Sequence, residues 1–199
     1  KIRYVDTSNT NPEITLNGNL EITIPVFSTY VEPGFSANDA EDGNITSLVV
    51  VGGGLDTNVL GTYIVTYDVT DTGGLTAPQK TRTVNVVDYI PPVITLNGDA
   101  EIILNINDTY TEQGAATSDN YWTLNQFVDV NNPGDLLIGG DVIDTSKPGV
   151  YTVTYNVTDG SGNAANEVTR KIYVGELEFV IDTTLGVGTG DTLSSNGYR

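Results

Sequence analysis

Two stretches of the chain share the same alternation of apolar and polar residues. The apolar face of the first stretch consists of Tyr63, Val65, Tyr67 and Val69. The apolar face of the second consists of Tyr151, Val153, Tyr155 and Val157. In both, polar side chains occupy most of the positions in between. A period of two with one apolar face predicts an antiparallel strand that is buried on one side.

Turn-forming residues follow each of these strands. The first strand is followed by Asp71-Thr72-Gly73-Gly74, and the second by Asp159-Gly160-Ser161-Gly162. Asp and Gly favour tight turns, so residues 81–87 and 170–174 are predicted to be the returning strands of two hairpins. Strand-like segments recur about every 8–12 residues in both halves of the chain, which is typical of a β-sandwich.

The chain is an internal repeat. Residues 12–19, Pro-Glu-Ile-Thr-Leu-Asn-Gly-Asn, return 80 positions later as Pro-Val-Ile-Thr-Leu-Asn-Gly-Asp. Residues 61–71 return 88 positions later, so the second copy carries eight additional residues between Asp119 and Asp144. Each copy spans about 80–90 residues, which is enough for one small domain with its own core.

The repeat divides the chain into four parts. We expect a lead-in at residues 1–9, a first domain at 10–88, a second domain at 89–175 and a tail at 176–199. The tail is interpreted as the start of a truncated further domain or as a flexible end. A Pro-Pro pair lies in the short seam between the domains, and its stiffness predicts two units placed end to end with limited freedom.

Tyr63 and Tyr151 make the fold prediction more specific. In immunoglobulin sandwiches, a Tyr at the start of strand F lies two residues before a disulfide Cys, and its hydroxyl bonds to upstream backbone. Val65 and Val153 occupy that Cys position here, and the chain has no Cys. The predicted fold class is therefore all-β: two tandem Ig-like β-sandwich domains, end to end, without disulfides and with little or no helix.

Composition excludes several functional classes. The chain has 8 Lys and Arg against 26 Asp and Glu, a formal net charge of −18, and no His. Without His and Cys there is no ordinary zinc site, thiol nucleophile or Ser-His-Asp triad. The negative charge repels nucleic acid and anionic membrane surfaces. No apolar run approaches the roughly 20 residues of a spanning helix, so we expect no membrane insertion of this segment.

Four motifs, read in order, resemble a known family. They are Ile-Thr-Leu-Asn-Gly at 14–18, Tyr-x-Glu-x-Gly at 30–34, Asp-Gly-Asn-Ile-Thr at 42–46 and Gly-x-Tyr-x-Val-Thr-Tyr-x-Val-Thr-Asp at 61–71. This set resembles the bacterial Ig-like domain first named from a pesticidal crystal protein, and the related hyalin-repeat modules, as found in tandem in Bacteroidetes surface proteins. The resemblance covers roughly residues 10–175. In the second copy, residues 118–122 depart from the third motif.

The resemblance implies a function as well as a fold. Such domains act as spacers or binding modules in secreted and cell-surface proteins. We therefore expect a non-catalytic spacer or presentation module of an adhesin or surface lipoprotein, located outside the cell or on the bacterial surface. Its partners would be the neighbouring domains of a longer chain. The alternative is a surface protein that binds polysaccharide.

Catalysis is not expected. Paired carboxylates, as in glycosidases, are the remaining chemistry, and among 26 acids some pair lies at a suitable distance by chance. No pair stands out in the sequence, so the prediction is that the chain is not an enzyme.

Calcium is the one cofactor for which the sequence offers candidate ligands. The fold itself requires no cofactor. The ion takes 6–8 oxygen ligands. The acidic turn that begins at Asp39 is not an EF-hand, because Val50 stands where the bidentate Glu belongs. The alternative is an acidic turn that is simply solvated. The predicted calcium ligands are Glu32, Asp39, Asp42 and Asp71 at one pole of the first domain, with Asp88 bridging the two units.

The insert of the second copy is the candidate glycan site. It contains the chain's single Trp, and large aromatic side chains on loops indicate binding surfaces more often than those on strands. Exposed aromatics stack on sugar faces while neighbouring amides bond to hydroxyls. The alternative is that the Trp plugs the end of the sandwich. The predicted glycan-binding residues are Tyr121, Trp122, Asn125, Gln126 and Phe127.

Overall fold

Short β-strands dominate the described chain. The structure is a computed structural model, and it describes residues 9–122 and 135–175. The strands of the first unit are β1 (Glu13–Leu16), β2 (Glu21–Pro25), β3 (Phe35–Asp39), β4 (Gly43–Asn44), β5 (Val50–Gly52), β6 (Gly61–Asp68) and β7 (Lys80–Val87). Those of the second are β8 (Val93–Leu96), β9 (Glu101–Leu104), β10 (Ala115–Ser118), β11 (Leu137–Gly140), β12 (Gly149–Asn156) and β13 (Val168–Val174). Within these described residues the helical content is one 3-10 turn, Thr46–Leu48.

Each unit consists of its own pair of sheets. In the first, one sheet has the order β1-β3-β4 and the other β2-β7-β6-β5. In the second, the corresponding orders are β10-β8 and β11-β12-β13-β9. The strand pairs are antiparallel except β2 with β7 and β9 with β13, which are parallel. The prediction of two tandem all-β Ig-like sandwiches is confirmed.

The alternating residues form the two cores as predicted. Val65, Tyr67 and Val69 are buried in one core cluster with Ile14 and Val84. Val153, Tyr155 and Val157 are buried in the other, with Ile94 and Ile172 among their neighbours. On β6 the intervening Thr62 and Asp68 are exposed. Burial of one face of a hydrophobic strand is the main source of its stability.

The two Tyr hydroxyls bond to upstream backbone, as the Ig-like prediction requires. Tyr63 donates to the carbonyl oxygen of Val59 at 2.9 Å. Tyr151 donates to the carbonyl oxygens of Asp144 and Lys147, at 2.8 and 3.0 Å. These bonds fix the loop that enters strand β6 or β12 in each domain.

A buried arginine bonds to a glutamate in each core. Arg82 is fully buried and lies 3.2 Å from Glu32, which also accepts hydrogen bonds from Tyr30 and Tyr67. Burial opposes ionisation of Glu32, but the Tyr67 and Tyr30 bonds outweigh it and lower the pKa of this carboxyl. A buried charge persists only when it is paired and hydrogen-bonded.

The second domain repeats this arrangement residue for residue. Arg170 forms an ion pair with Glu112, which accepts bonds from Tyr110 and Tyr155. The backbone N–H of Gly114 donates to the same carboxylate at 2.6 Å. The repeated network is therefore part of the scaffold common to both domains.

Candidate metal centre at the seam between the two domains

The turns that follow β3 and β10 share one design. In the second domain, Asp119 Oδ1 accepts bonds from the backbone N–H groups of Tyr121 and Trp122, at 2.9 and 2.8 Å. In the first domain, Asp39 Oδ1 accepts bonds from the backbone of the two residues at the same places, also at 2.9 and 2.8 Å. Asp39 and Asp119 each keep a buried Oδ2 without a hydrogen-bond partner among the described residues.

Asp159 holds the turn of the hairpin between β12 and β13. Its Oδ1 accepts bonds from the backbone N–H of Ser161 and of Asn163, at 2.9 and 2.8 Å. Its Oδ2 accepts the Asn163 side-chain amide at 2.9 Å. Only 1% of Asp159 is exposed, so this carboxylate is fixed inside the pole of the domain.

Asp88 lies on the linker, directly after β7. Its Oδ1 accepts the backbone N–H of Ile90 at 3.1 Å, and its carbonyl oxygen accepts the Asn163 amide at 3.2 Å. The residue is 6% exposed, and within the described chain its Oδ2 has no hydrogen-bond partner. The linker is thus attached to the second domain through the main-chain carbonyl of Asp88, whereas its side chain bonds within the linker.

The fold brings these three carboxylates together. One oxygen from each of Asp88, Asp119 and Asp159 lies within 4.8 Å of the others. Like charges at 4.8 Å repel by about 3 kcal/mol per pair at an effective dielectric constant of about 20. In the described residues this is the one group of three potential metal-ligating side chains. Hard, oxygen-preferring cations such as calcium suit such a donor set.

Aromatic side chains surround the seam. Tyr121 of the second domain lies 5.8 Å, ring centre to ring centre, from Phe27 of the first. Its hydroxyl is 3.4 Å from the backbone nitrogen of Leu60. Phe27 has a positive φ of 64°, a conformation rare for a bulky residue, and this turn after β2 places its ring at the seam. A cleft of about 430 Å³ opens beside Asp88, between Leu60 and Asn163.

Trp122 packs against the hairpin turn of its own domain. Its indole N–H donates to Ser161 Oγ at 3.0 Å, and its ring lies over Gly160, where an added Cβ would come within 2.7 Å of it. The Trp122 and Tyr121 rings are 5.4 Å apart and inclined at 76°. Both residues are half-buried. The pair therefore does not form one flat platform.

The predicted calcium ligands are not all brought together. Glu32 lies in the Arg82 network of the first core. Asp42 accepts the backbone N–H and hydroxyl of Thr72, and these bonds lower the pKa of its carboxyl. Asp71 is buried and accepts the Asn9 amide at 3.0 Å. Asp88 is the predicted ligand that belongs to the three-carboxylate group.

The predicted glycan site is described only in part. Tyr121 and Trp122 lie at the seam, whereas Asn125, Gln126 and Phe127 lie outside the described residues. Sequence reasoning missed Asp119 and Asp159 as candidate ligands. The repeat offsets of 80 and 88 residues pair Asp119 with Asp39 and Asp159 with Asp71. The signal that was missing is which loops of the second domain lie at the end that faces the linker, where Asp88 is located.

Comparisons with known proteins agree with this fold. A family model described as "Bacterial surface protein, Ig-like domain" matches residues 14–86 and again 94–174. Pesticidal crystal protein Cry22Aa of Bacillus thuringiensis is 30% identical over 195 residues, covering 90% of this chain and 25% of that protein. An 81.3 kDa protein of Acholeplasma phage L2 is 30% identical over 152 residues, covering 72% of this chain and 19% of that protein.

The solved structures that match include a lipoprotein of Bacteroides thetaiotaomicron. It aligns with a TM-score of 0.37 and 18% identity, covering 71% of this chain and 60% of that one. The chain spans about a quarter of the length of the Bacillus relative and about a fifth of the phage relative. Among the described residues no helix has the length and apolar character needed to cross a membrane. With two matches that together cover most of its length, the chain belongs to the bacterial surface protein Ig-like domain family.

Proposed function

We propose that this chain is a non-catalytic spacer or presentation module of a bacterial cell-surface or secreted protein, of the adhesin or surface lipoprotein type. Its two domains keep one relative orientation and set the distance between the domains on either side. The observation that supports this most directly is the set of contacts across the seam.

These contacts come from both sides of the linker. The Tyr121 ring packs against Phe27, and its hydroxyl faces the backbone of Leu60. Asn163 bonds to the linker carbonyl of Asp88. Two prolines follow within the same linker and restrict its backbone. A short linker stiffened by proline, together with these contacts, favours a fixed joint over free rotation.

Partial coverage of its relatives supports a role inside a longer chain. The match spans 25% of the Bacillus protein and 19% of the phage protein. For a module of this kind, the partners are the neighbouring domains. The three clustered carboxylates lie at the joint between the domains, and we assign them a role in holding the two domains in one orientation.

Polysaccharide binding through the second-domain insert is the weaker proposal. It needs a flat aromatic surface open to a sugar ring, whereas Tyr121 and Trp122 are half-buried and inclined at 76°. The Tyr121 ring already contacts Phe27, and the Trp122 ring lies over Gly160. Retention on a glycan affinity gel that is lost in Trp122→Ala at unchanged melting temperature would favour this alternative.

Distance measurement between the domains tests the spacer function. The chain has no Cys, so Lys80→Cys with Lys171→Cys places one spin label on an exposed position of each domain. Pulsed electron resonance is expected to give one narrow distance distribution. Tyr121→Ser should broaden it, whereas Tyr173→Ser, on β13 and bonded to Glu101, should not. A broad distribution in the unmodified background would overturn the fixed joint.

A further inference from the structure

We infer that Asp88, Asp119 and Asp159 form a calcium site that locks the linker onto the second domain. This inference rests on the spacer function proposed above, and it names the interaction that would hold the joint between the domains rigid. The three residues come from the linker, the turn after β10 and the turn of the β12–β13 hairpin. Their oxygens lie within 4.8 Å of one another, so one ion can contact all three.

The buried, unpartnered oxygen of Asp88 is the observation that points to a ligand. Asp88 is only 6% exposed, and no donor among the described residues bonds to its Oδ2. Asp119 is half-buried, and its buried Oδ2 likewise has no partner among the described residues. In both residues the other oxygen already accepts backbone N–H bonds. Buried carboxylate oxygens are rarely left without a hydrogen bond, an ion pair or a metal.

Cationic side chains do not supply the missing partner. The ion pairs in the described chain join Arg82 to Glu32, Arg170 to Glu112 and Lys147 to Asp144. None of these pairs involves the three seam carboxylates. Among the described residues, a cation from solution is therefore the remaining source of positive charge at the seam.

Calcium fits the donors better than other ions. The ligands are carboxylate oxygens, which hard cations prefer, and His and Cys are absent from the chain. Calcium accepts 6–8 oxygens in irregular arrangements, whereas magnesium demands a near-ideal octahedron. The adjoining cleft of about 430 Å³ provides room for water to complete the coordination shell.

The first domain supplies a natural comparison. Asp39 and Asp71 stand where Asp119 and Asp159 stand in the second domain. Within the described residues they belong to no group of three metal-ligating side chains, and Asp71 instead accepts the Asn9 amide at 3.0 Å. Asp39 therefore has the same turn and the same unpartnered oxygen as Asp119, but lies outside any group of three.

Terbium luminescence on the full chain is the test. Terbium replaces calcium at oxygen sites, and Trp122, whose backbone bonds to Asp119, is placed to sensitise it. We expect sensitised emission that calcium displaces at about 0.1–1 mM, the range of extracellular modules. Asp88→Asn and Asp119→Asn should lower terbium affinity at least tenfold, and Asp39→Asn should leave it unchanged. Equal emission in Asp119→Asn and Asp39→Asn, or no emission, would overturn the site.

The spin-label pair described above separates this inference from the proposed function. If the distance distribution is narrow with calcium and broad with chelator, the site and its locking role both stand. If it is narrow in both while terbium does not bind, the spacer remains and the calcium site is wrong. If terbium binds but the distribution is broad in both conditions, the site stands and its locking role is wrong.

Discussion

Trp122 occupies in the second domain the position that Asp42 occupies in the first, and both side chains bond to the adjacent hairpin turn. Asp42 accepts bonds from Thr72, and Trp122 donates to Ser161. The backbone is the same at both sites, because Asp39 and Asp119 accept the same pair of N–H bonds. Both domains therefore keep a side-chain bond from this turn to the hairpin turn. The first domain makes it with the carboxylate of Asp42, and the second domain makes it with the aromatic ring of Trp122, at the pole that faces the first domain.

Trp122→Ala is expected to destabilise the second domain. The ring covers Gly160 and bonds to Ser161, so its removal exposes the turn and leaves a hydroxyl without its donor. Since Trp122 is half-buried, we expect a loss of about 2 kcal/mol, below the value for a fully buried Trp. The matched Asp42→Ala should cost less, because it removes only exposed hydrogen bonds. Thermal melts followed by circular dichroism measure both, and an unchanged melting temperature for Trp122→Ala would contradict the contact.

Glu112→Gln is expected to lower stability at neutral pH and to reduce its acid sensitivity. Burial raises the pKa of Glu112, but bonds from Tyr110 and Tyr155 outweigh it and keep the pKa below its ordinary 4.5. A lowered folded-state pKa adds stability above about pH 4.5 that is lost as the pH falls through the lower folded value. Removing the charge leaves Arg170 buried and unpaired, at a cost of about 3 kcal/mol.

Urea unfolding at pH 7 and at pH 3 checks this prediction. The difference in unfolding free energy between the two pH values should be smaller in Glu112→Gln than in the parent. Glu13→Gln, at an exposed position of β1, is the control and should behave as the parent does. An equal pH dependence in all three proteins would show that Glu112 does not contribute through its charge.

The strands and the tyrosine contacts could be predicted because both depend on local pattern. Alternation along β6 and β12 determines which residues enter the core, and the place of Tyr63 within its motif implies its bond to upstream backbone. The network of Arg82 could not be predicted this way. Glu32 is 50 residues away in sequence, and its motif equally suited a surface ligand.

The seam carboxylates show the same limit. Asp88, Asp119 and Asp159 each lie in a separate turn, and only the antiparallel pairing of β8 with β10 brings the first two to one pole. The sequence singled out Asp88 because it lies between the repeats. It did not single out Asp119 or Asp159, because the sequence does not show which loops of the second domain meet at the linker.

Gly140→Ala is expected to be much more damaging than Gly162→Ala. Both glycines have positive φ, 96° and 90°, so Ala at either site costs about 1–2 kcal/mol in backbone strain. At Gly140 a Cβ would also lie 2.2 Å from the carbonyl oxygen of Thr152 on the neighbouring strand, whereas at Gly162 nothing lies within 4 Å. The additional loss at Gly140 should reach about 2 kcal/mol, measured as the difference between the two variants in chemical denaturation. Equal losses would show that the neighbouring strand yields without cost.

Asp88→Asn is expected to stabilise the protein when calcium is absent and to destabilise it when calcium is present. In chelator, three carboxylates within 4.8 Å repel one another, so replacing one by a neutral isostere removes repulsion while its Oδ1 still accepts the N–H of Ile90. The melting temperature should then rise by a few degrees, since about 1 kcal/mol corresponds to about 4–8 °C in a domain of this size. In 10 mM calcium the parent gains about 1.4–2.7 kcal/mol of binding free energy, for a dissociation constant of about 0.1–1 mM, that the variant lacks. The variant should therefore melt below the parent. Asp39→Asn, which lies in no such group among the described residues, should show the same shift in both conditions. A constant shift for Asp88→Asn as well would mean that its carboxylate acts only as a capping group for Ile90.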